Sequence, residues 1–393
     1  MNRKIALALI LIIAFSTIGV FAVKPASAQS IPQTVTATIP VGSGPEGAAV
    51  TPNGAYVYVA NFENNSVSVI DTATNTVTAT VTGLNHPYGV AVTPNGDYTY
   101  VTNWVLSDGS VSVISTATNE VTATISGFND PTAVAVTPNG AYAYVTNTNG
   151  YANSSVSVIN TVTNTVTATI TLNDPTGIAI TPNGDYAYVA NSQGDVSVIN
   201  TTTNTITANI SGFNFPNGVA VTPDGAYVYV ADTGSDSVLV ISTATNNVTA
   251  TISTLGTNPY PPGTGPYGVA VTPNGEYVYV ANSESSTVYT VSLISTATNT
   301  IMANIAGFSQ PNFVAVAPNG EYVYVTNVES GTVSVISASN AIASPTPNLT
   351  VSPTATPTST PSIPELYWLV ILPLLLSVLS VAVIVRHRKT ALI

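Results

Sequence analysis

The chain has no cysteine, and between Lys24 and Arg386 it has neither lysine nor arginine. The first absence excludes disulfides and thiolate metal sites. The second excludes Lys/Arg ion pairs within that interval, and with them phosphate-backbone recognition, so no nucleic-acid partner is expected. Only 6% of the 393 residues are charged, and the helix-filling residues Lys and Glu are scarce. Histidine is rarer still. His86 stands alone in the interval, and His387 lies beyond it. A His–His metal pair has no second member there, and a His-based triad would have to use His86 alone.

What is present is β-branched and aromatic. Val, Thr and Tyr dominate, and 20 tyrosines outnumber eight phenylalanines, a strand-forming bias. All 18 acidic residues lie between Glu46 and Glu365, so the middle carries a formal charge of −18, and six basic residues near the ends bring the total to −12. The acids are dispersed rather than blocked, which describes a solvated acidic surface screened by mobile cations.

The two ends read as addresses. Basic MNRK, a long apolar run and the small residues Ala26-Ser27-Ala28 follow the secretory-signal order, so residues 1–28 are expected to be a signal peptide. Residues 341–364 are rich in Pro, Ser and Thr and cannot build a core. An extended stalk is expected there. An uncharged apolar stretch follows within residues 365–385, long enough to span a bilayer as a helix, with Tyr367 and Trp368 at interfacial depth. The basic tail, residues 386–393, marks the cytoplasmic side. The expected location is therefore the cell surface, anchored in the cytoplasmic membrane with the long middle outside. Pro364-Glu365 before the helix also resembles the tripartite tails cut by archaeosortase-type enzymes. Leu366 and Tyr367 depart from that pattern, and a retained helix is the expected state.

Residues 29–340 repeat one phrase. TPNGAYVYVAN begins at Thr51, and copies begin at Thr93, Thr137, Thr181, Thr222, Thr272 and Ala317. A period in the forties with strand-rich content fits one propeller blade per copy. In the first copy GAAV, AYVYVAN, NSVSVID and TVTATV read as four strands, from a crowded inner one to a polar outer one. Gly54 suits the left-handed position of the TPNG turn. The phase is offset. The array begins with TVTATI (residues 34–39), an outer strand, and ends after GTVSVIS (residues 331–337), a third strand. The N-terminal segment is expected to complete the last blade and close a seven-bladed, all-β ring without an open edge. A β-solenoid is the competing fold.

Tyr100-Val101-Thr102-Asn103, Tyr144 to Asn147 and Tyr324 to Asn327 spell YVTN, and other copies spell YVAN or YVAD. With GVAVTPNG, SVSVI and TATNTVTATI, this resembles the YVTN-family β-propeller repeat of archaeal surface-layer and surface-antigen proteins. The resemblance covers residues 34–337. It implies a propeller on a cell surface, a structural or adhesive role and no enzyme. The partners implied are envelope proteins or glycans, with homo-assembly into a lattice. Fold alone does not fix activity. The alternative is an extracellular propeller enzyme or small-ligand receptor using the mouth of the central channel.

Candidate residues follow from the loops. Glu46, His86, Asp130 and Asp174 lie at the turns expected to ring the channel mouth. These carboxylates could offer oxygens to Ca2+, although turn-capping by Asp130 and Asp174 is the preferred reading, and no metal or cofactor is assigned. Trp104, Tyr151, Tyr260, Tyr88 and Tyr267 are candidate contacts for sugar or protein, with Trp104 expected to be partly exposed. Asn64, Asn153, Asn200, Asn209, Asn247 and Asn348 lie in N-x-S/T triplets and are candidate glycosylation sites. Trypsin has no site between Lys24 and Arg386, so treating whole cells with it should leave the exterior attached. Release of an intact exterior fragment would contradict the proposed orientation.

Overall fold

Each repeat carries the turn chemistry that makes it a four-stranded antiparallel sheet. In the first blade the strands are Pro45–Val50, Tyr56–Asn61, Ser66–Asp71 and Thr76–Val81. The TPNG turn places Gly54 at φ +73°, with its N–H donating to the Thr51 carbonyl at 2.8 Å. Thr51 Oγ1 in turn accepts from the N–H of Tyr56 at 3.0 Å, which starts the second strand. Between the third and fourth strands Asn75 takes φ +54°, and Asn119, Asn164, Asn204, Asn246 and Asn299 repeat that left-handed conformation. Asn tolerates it better than other side-chain-bearing residues.

In the computed structural model, the described residues are 31, 33–148, 154–254, 265–283 and 289–337. They belong to the first of two units, Met1–Ala341 and Ile342–Ile393. The described residues form seven four-stranded sheets. Among them no helix is long and apolar enough to cross a membrane. The expected signal peptide, stalk, membrane helix and basic tail lie outside the described residues, as do Tyr151, Tyr260, Asn153 and Asn348.

The seventh sheet is built as the sequence offset requires. Thr34–Pro40 pairs antiparallel with Thr332–Ser337, from Thr34 opposite Ser337 through Ile39 opposite Val333 to Pro40 opposite Thr332. A bulge falls between Val35 and Ala37, matching those of the other outer pairs, such as the one at Val158/Ile159. Thr36 Oγ1 donates to the Val335 carbonyl at 3.3 Å, just as Thr78 does to Val69 and Thr167 to Val158. The N-terminal strand thus reproduces the bulge of every other outer strand and the threonine bond of the first five, and the solenoid is excluded.

The core lies between blades. The second tyrosine of each YVYVAN-type strand (Tyr58, Tyr100, Tyr144, Tyr188, Tyr229, Tyr279 and Tyr324) is fully buried, while the first is partly exposed. Each buried ring packs against valines and isoleucines of the next blade. Across the seam, Tyr324, Val333 and Val335 meet Val57, Val59 and Ile70. Removing such a ring from water stabilises by on the order of 3 kcal/mol. Its hydroxyl contributes nearer ~1 kcal/mol net, so the ring drives packing and the hydroxyl sets register. Tyr58 donates to Asn119 Oδ1 at 2.6 Å and Tyr144 to Asn204 Oδ1 at 2.7 Å, each reaching the left-handed Asn of the following blade.

Neighbouring inner strands meet in two ways. Where the second strand spells YVTN, its threonine clasps both blades. Thr146 Oγ1 accepts from the Ala133 N–H at 2.8 Å and donates to the Thr176 carbonyl of the next blade at 2.8 Å. Thr102 and Thr326 do the same through Gly89 and Thr132, and through Phe313 and Glu46. Where the strand spells YVAN or YVAD, the inner residue is Gly47, Gly177, Gly218 or Gly268. A Cβ on Gly177 would lie 2.1 Å from the Asn217 carbonyl of the next blade, so only glycine permits that approach. Ala133 and Phe313, the inner residues with side chains, both face a clasping threonine. Thr146→Val keeps the shape and removes both bonds. It should lower unfolding stability by about 1–3 kcal/mol in denaturant titration, whereas Thr146→Ser should retain most of it. A valine variant as stable as the parent would contradict the clasp.

Candidate functional site

Ring closure brings seven equivalent positions to one channel. The residue after the first proline of each inner strand lines a cavity of about 240 Å³ at the end of the channel away from the TPNG turns. Five consecutive blades present Asn217, Tyr267, Asn312, Glu46 and Tyr88, and the remaining two present the smaller Thr132 and Thr176. The next position is mostly glycine, which keeps the cavity open, with Phe313 as its large apolar exception. The lining is therefore uneven, with one sector carrying a carboxyl, two amides and two phenols.

Glu46 is the charged member of that sector. Asn312 Nδ2 donates to its Oε2 across the seam between the last and first blades. On the same side, Thr326 Oγ1 donates to the Glu46 carbonyl at 2.8 Å. Desolvation by burial raises the Glu46 carboxyl from 4.5 to about 7. The Asn312 bond opposes the shift, and the nearby charge of Glu63 adds to it. Burial also raises the phenols of Tyr88 and Tyr267, and the charge of Glu46 raises both further. Near neutrality the sector therefore holds a carboxyl that can either donate or accept a proton, among neutral donors and acceptors.

The other expected mouth residues stand elsewhere. His86, Asp130 and Asp174 are not part of the cavity lining. Each precedes the inner-strand proline at positive φ, +48°, +47° and +57° respectively. Their carbonyls accept from the N–H groups of Trp104, Thr148 and Ser192. The His86 ring is exposed, with Nδ1 3.0 Å from Asn85 Oδ1. Asp174 accepts from Ser192 Oγ, and Asp130 and Asp174 each keep one buried carboxylate oxygen without a hydrogen-bond partner. Burial also raises the Asp130 carboxyl. Among the described residues no three His, Asp or Glu side chains converge on a point suited to a metal ion. The geometry thus does not gather Glu46, Asp130 and Asp174 around Ca2+.

Trp104 is 40% exposed. It lies 5.7 Å from Phe62, a residue that sequence reasoning did not single out. Phe62 could have been found by alignment of the repeats, because the residue after YVxN is Phe or Trp in two blades and Thr, Ser or Val in the others. Of the glycosylation candidates, Asn64, Asn209 and Asn247 are exposed. Asn200 accepts from the N–H groups of Thr202 and Thr203 at 3.0 Å and so caps its own turn.

The shift at Glu46 has a thermodynamic consequence. Between 4.5 and about 7 the folded chain holds a proton that the unfolded chain has released, so this group makes stability fall as pH rises through that window. Glu46→Gln removes the effect. Thermal unfolding midpoints of wild type and Glu46→Gln, compared at about pH 5 and about pH 8, should show wild type losing ground to the variant as pH rises. Parallel profiles would contradict the buried, protonated carboxyl.

Comparison with known proteins agrees with this architecture. The family model described as "Lactonase, 7-bladed beta-propeller" matches residues 16–221 and 128–341. A solved structure, Kuenenia stuttgartiensis hydrazine synthase, superposes with a TM-score of 0.67 at 23% identity, covering 75% of this chain and 96% of that one. At that identity the likeness shows the fold alone. No curated protein matches the chain in sequence. The chain belongs to the lactonase, 7-bladed β-propeller family.

Proposed function

We propose that the chain is a non-enzymatic recognition propeller displayed at the cell surface, as an envelope component or adhesin of the YVTN type. Its ligand site in this reading is the channel mouth, and its ligand is a neutral, hydroxyl-bearing ring such as a sugar unit of an envelope glycan. The observation that carries the reading is the make-up of the cavity sector. Glu46, Asn312, Asn217, Tyr88 and Tyr267 offer convergent donors and acceptors, and the described chain contains no lysine or arginine to hold an anionic group. Weak contacts repeated over many anchored copies gain strength by avidity.

A second reading, hydrolysis of a lactone, is favoured by the family and by the Glu46 carboxyl near 7. As a general base, Glu46 would take a proton from the attacking water. The new C–O bond would form as the ring ester bond breaks, and the released alkoxide would recover that proton. An amide N–H of Asn217, on the cavity lining, would serve the carbonyl oxygen. Against this reading stands the lack of a second carboxyl or of an imidazole in the lining.

Calorimetric titration with neutral monosaccharides, run beside a lactone hydrolysis assay, separates the two. The recognition reading expects saturable binding, weakened about tenfold or more by Asn312→Ala, and hydrolysis at the buffer rate. Lactone turnover by the wild type that Glu46→Gln abolishes would overturn it in favour of the enzyme.

A further inference from the structure

Departures from the repeat converge on one sector of the mouth face. The residue after YVxN occupies the same frame in every blade, its N–H bonded to the carbonyl of the residue before the inner-strand proline. Phe62 bonds Gly44 and Trp104 bonds His86, each at 2.9 Å, as Thr148 bonds Asp130 at 3.1 Å. In the third and fifth blades this residue is structural, since the Thr148 and Thr233 hydroxyls donate to Pro175 and Pro266 carbonyls of the following blade at 2.8 and 2.7 Å. The first two blades replace that small hydroxyl residue with Phe62 and Trp104.

The replacements build a connected set of rings. Phe62 is the hub, 4.8 Å from His86, 5.7 Å from Trp104 and 6.4 Å from Tyr88, which it meets edge to face. Tyr88 lines the cavity beside Glu46. The rings therefore run without a break from the polar sector of the channel to the surface, where Trp104 is 40% and Leu106 68% exposed. His86 is fixed within the set at both ends of its backbone. Its N–H donates to Asn65 Oδ1 at 2.7 Å, and its carbonyl accepts from Trp104.

We propose that this aromatic shelf extends the channel-mouth site and takes the second and later units of a neutral oligosaccharide whose terminal unit sits at Glu46. A pyranose presents a C–H face to an aromatic ring and hydroxyls around its rim. A carboxyl–amide pocket continuous with exposed rings matches both halves of that chemistry. The uncompensated acidic surface selects against acidic glycans. The proposal rests on the channel-mouth reading and adds a length requirement to it.

Trp368→Phe leaves Trp104 as the sole tryptophan of the full chain, which makes its fluorescence a local reporter. Detergent-solubilised Trp368→Phe chain is titrated with neutral gluco- and manno-oligosaccharides, from single units upward. The expected result is Trp104 emission that shifts with the longer saccharides and not with the single unit, and an affinity that rises about tenfold with the second unit. In calorimetry on the full chain, Trp104→Ala should lose that rise while binding single units as wild type does, and Trp104→Phe should keep part of it. Equal affinity for single units and longer saccharides, or a rise that survives Trp104→Ala, overturns the shelf and leaves the channel site standing. Absence of binding at every length overturns both. A shift produced by envelope protein and by no saccharide overturns the glycan assignment.

Discussion

The pairing of the N-terminal strand with the last third strand is the constraint on which the molecule depends. Each blade buries both faces of its sheet against neighbours, so the ring gains its packing only if no gap remains between the last blade and the first. Thr34–Pro40 removes the gap by continuing the ladder of Thr332–Ser337, bulge included. The apolar contacts follow, with Ile39, Val333 and Val335 entering the same cluster as Val57 and Val59. The seam differs in one respect from the five junctions where Tyr58, Tyr100, Tyr144, Tyr188 and Tyr229 bond a left-handed Asn. Tyr324 is the seam's counterpart of the tyrosines that bond a left-handed Asn, yet its hydroxyl and Asn75 Oδ1 are both buried without a partner. Packing and backbone pairing therefore carry the closure there.

The same seam makes the candidate site. Glu46 belongs to the first blade, and the groups that hold it, Asn312 and Thr326, belong to the last. Without closure the carboxyl would lose the Asn312 amide that donates to it, along with much of the burial that raises its pKa. The fold and the candidate site are thus coupled through one junction rather than distributed evenly around a symmetric wheel. The asymmetry continues into the second blade, where Tyr88, His86 and Trp104 gather around Phe62.

Much of the fold was legible because the sequence repeats it. The TPNG glycines take left-handed φ, and the displaced outer strand at the start pairs where the last blade lacks one. What lay across blade boundaries was harder to read. Within one repeat nothing shows that the YVTN threonine spans two blades, or that an alanine there goes with glycine on the inner strand. Comparing copies does show it, since Ala133 and Phe313 both accompany threonine. The mouth was overfilled for a related reason. His86, Asp130 and Asp174 sit one residue from the ring position, but a proline preceded by a left-handed residue separates that turn from the lining. Of the four carboxyl and imidazole groups expected at the mouth, the cavity takes Glu46. Phe62 passed unnoticed because an aromatic residue in a strand-rich chain is unremarkable until its blade neighbours are known.

Closure is open to direct measurement by hydrogen–deuterium exchange on the folded chain. The account predicts that backbone amides of Thr34–Pro40 that point into the ladder are protected to the same degree as those of the internal outer strand Thr165–Thr171, and that Glu46→Gln leaves this protection unchanged. Rapid exchange of Thr34–Pro40 and of the Thr332–Ser337 amides facing it, while Thr165–Thr171 stays protected, would contradict the closed ring and the site built on its seam.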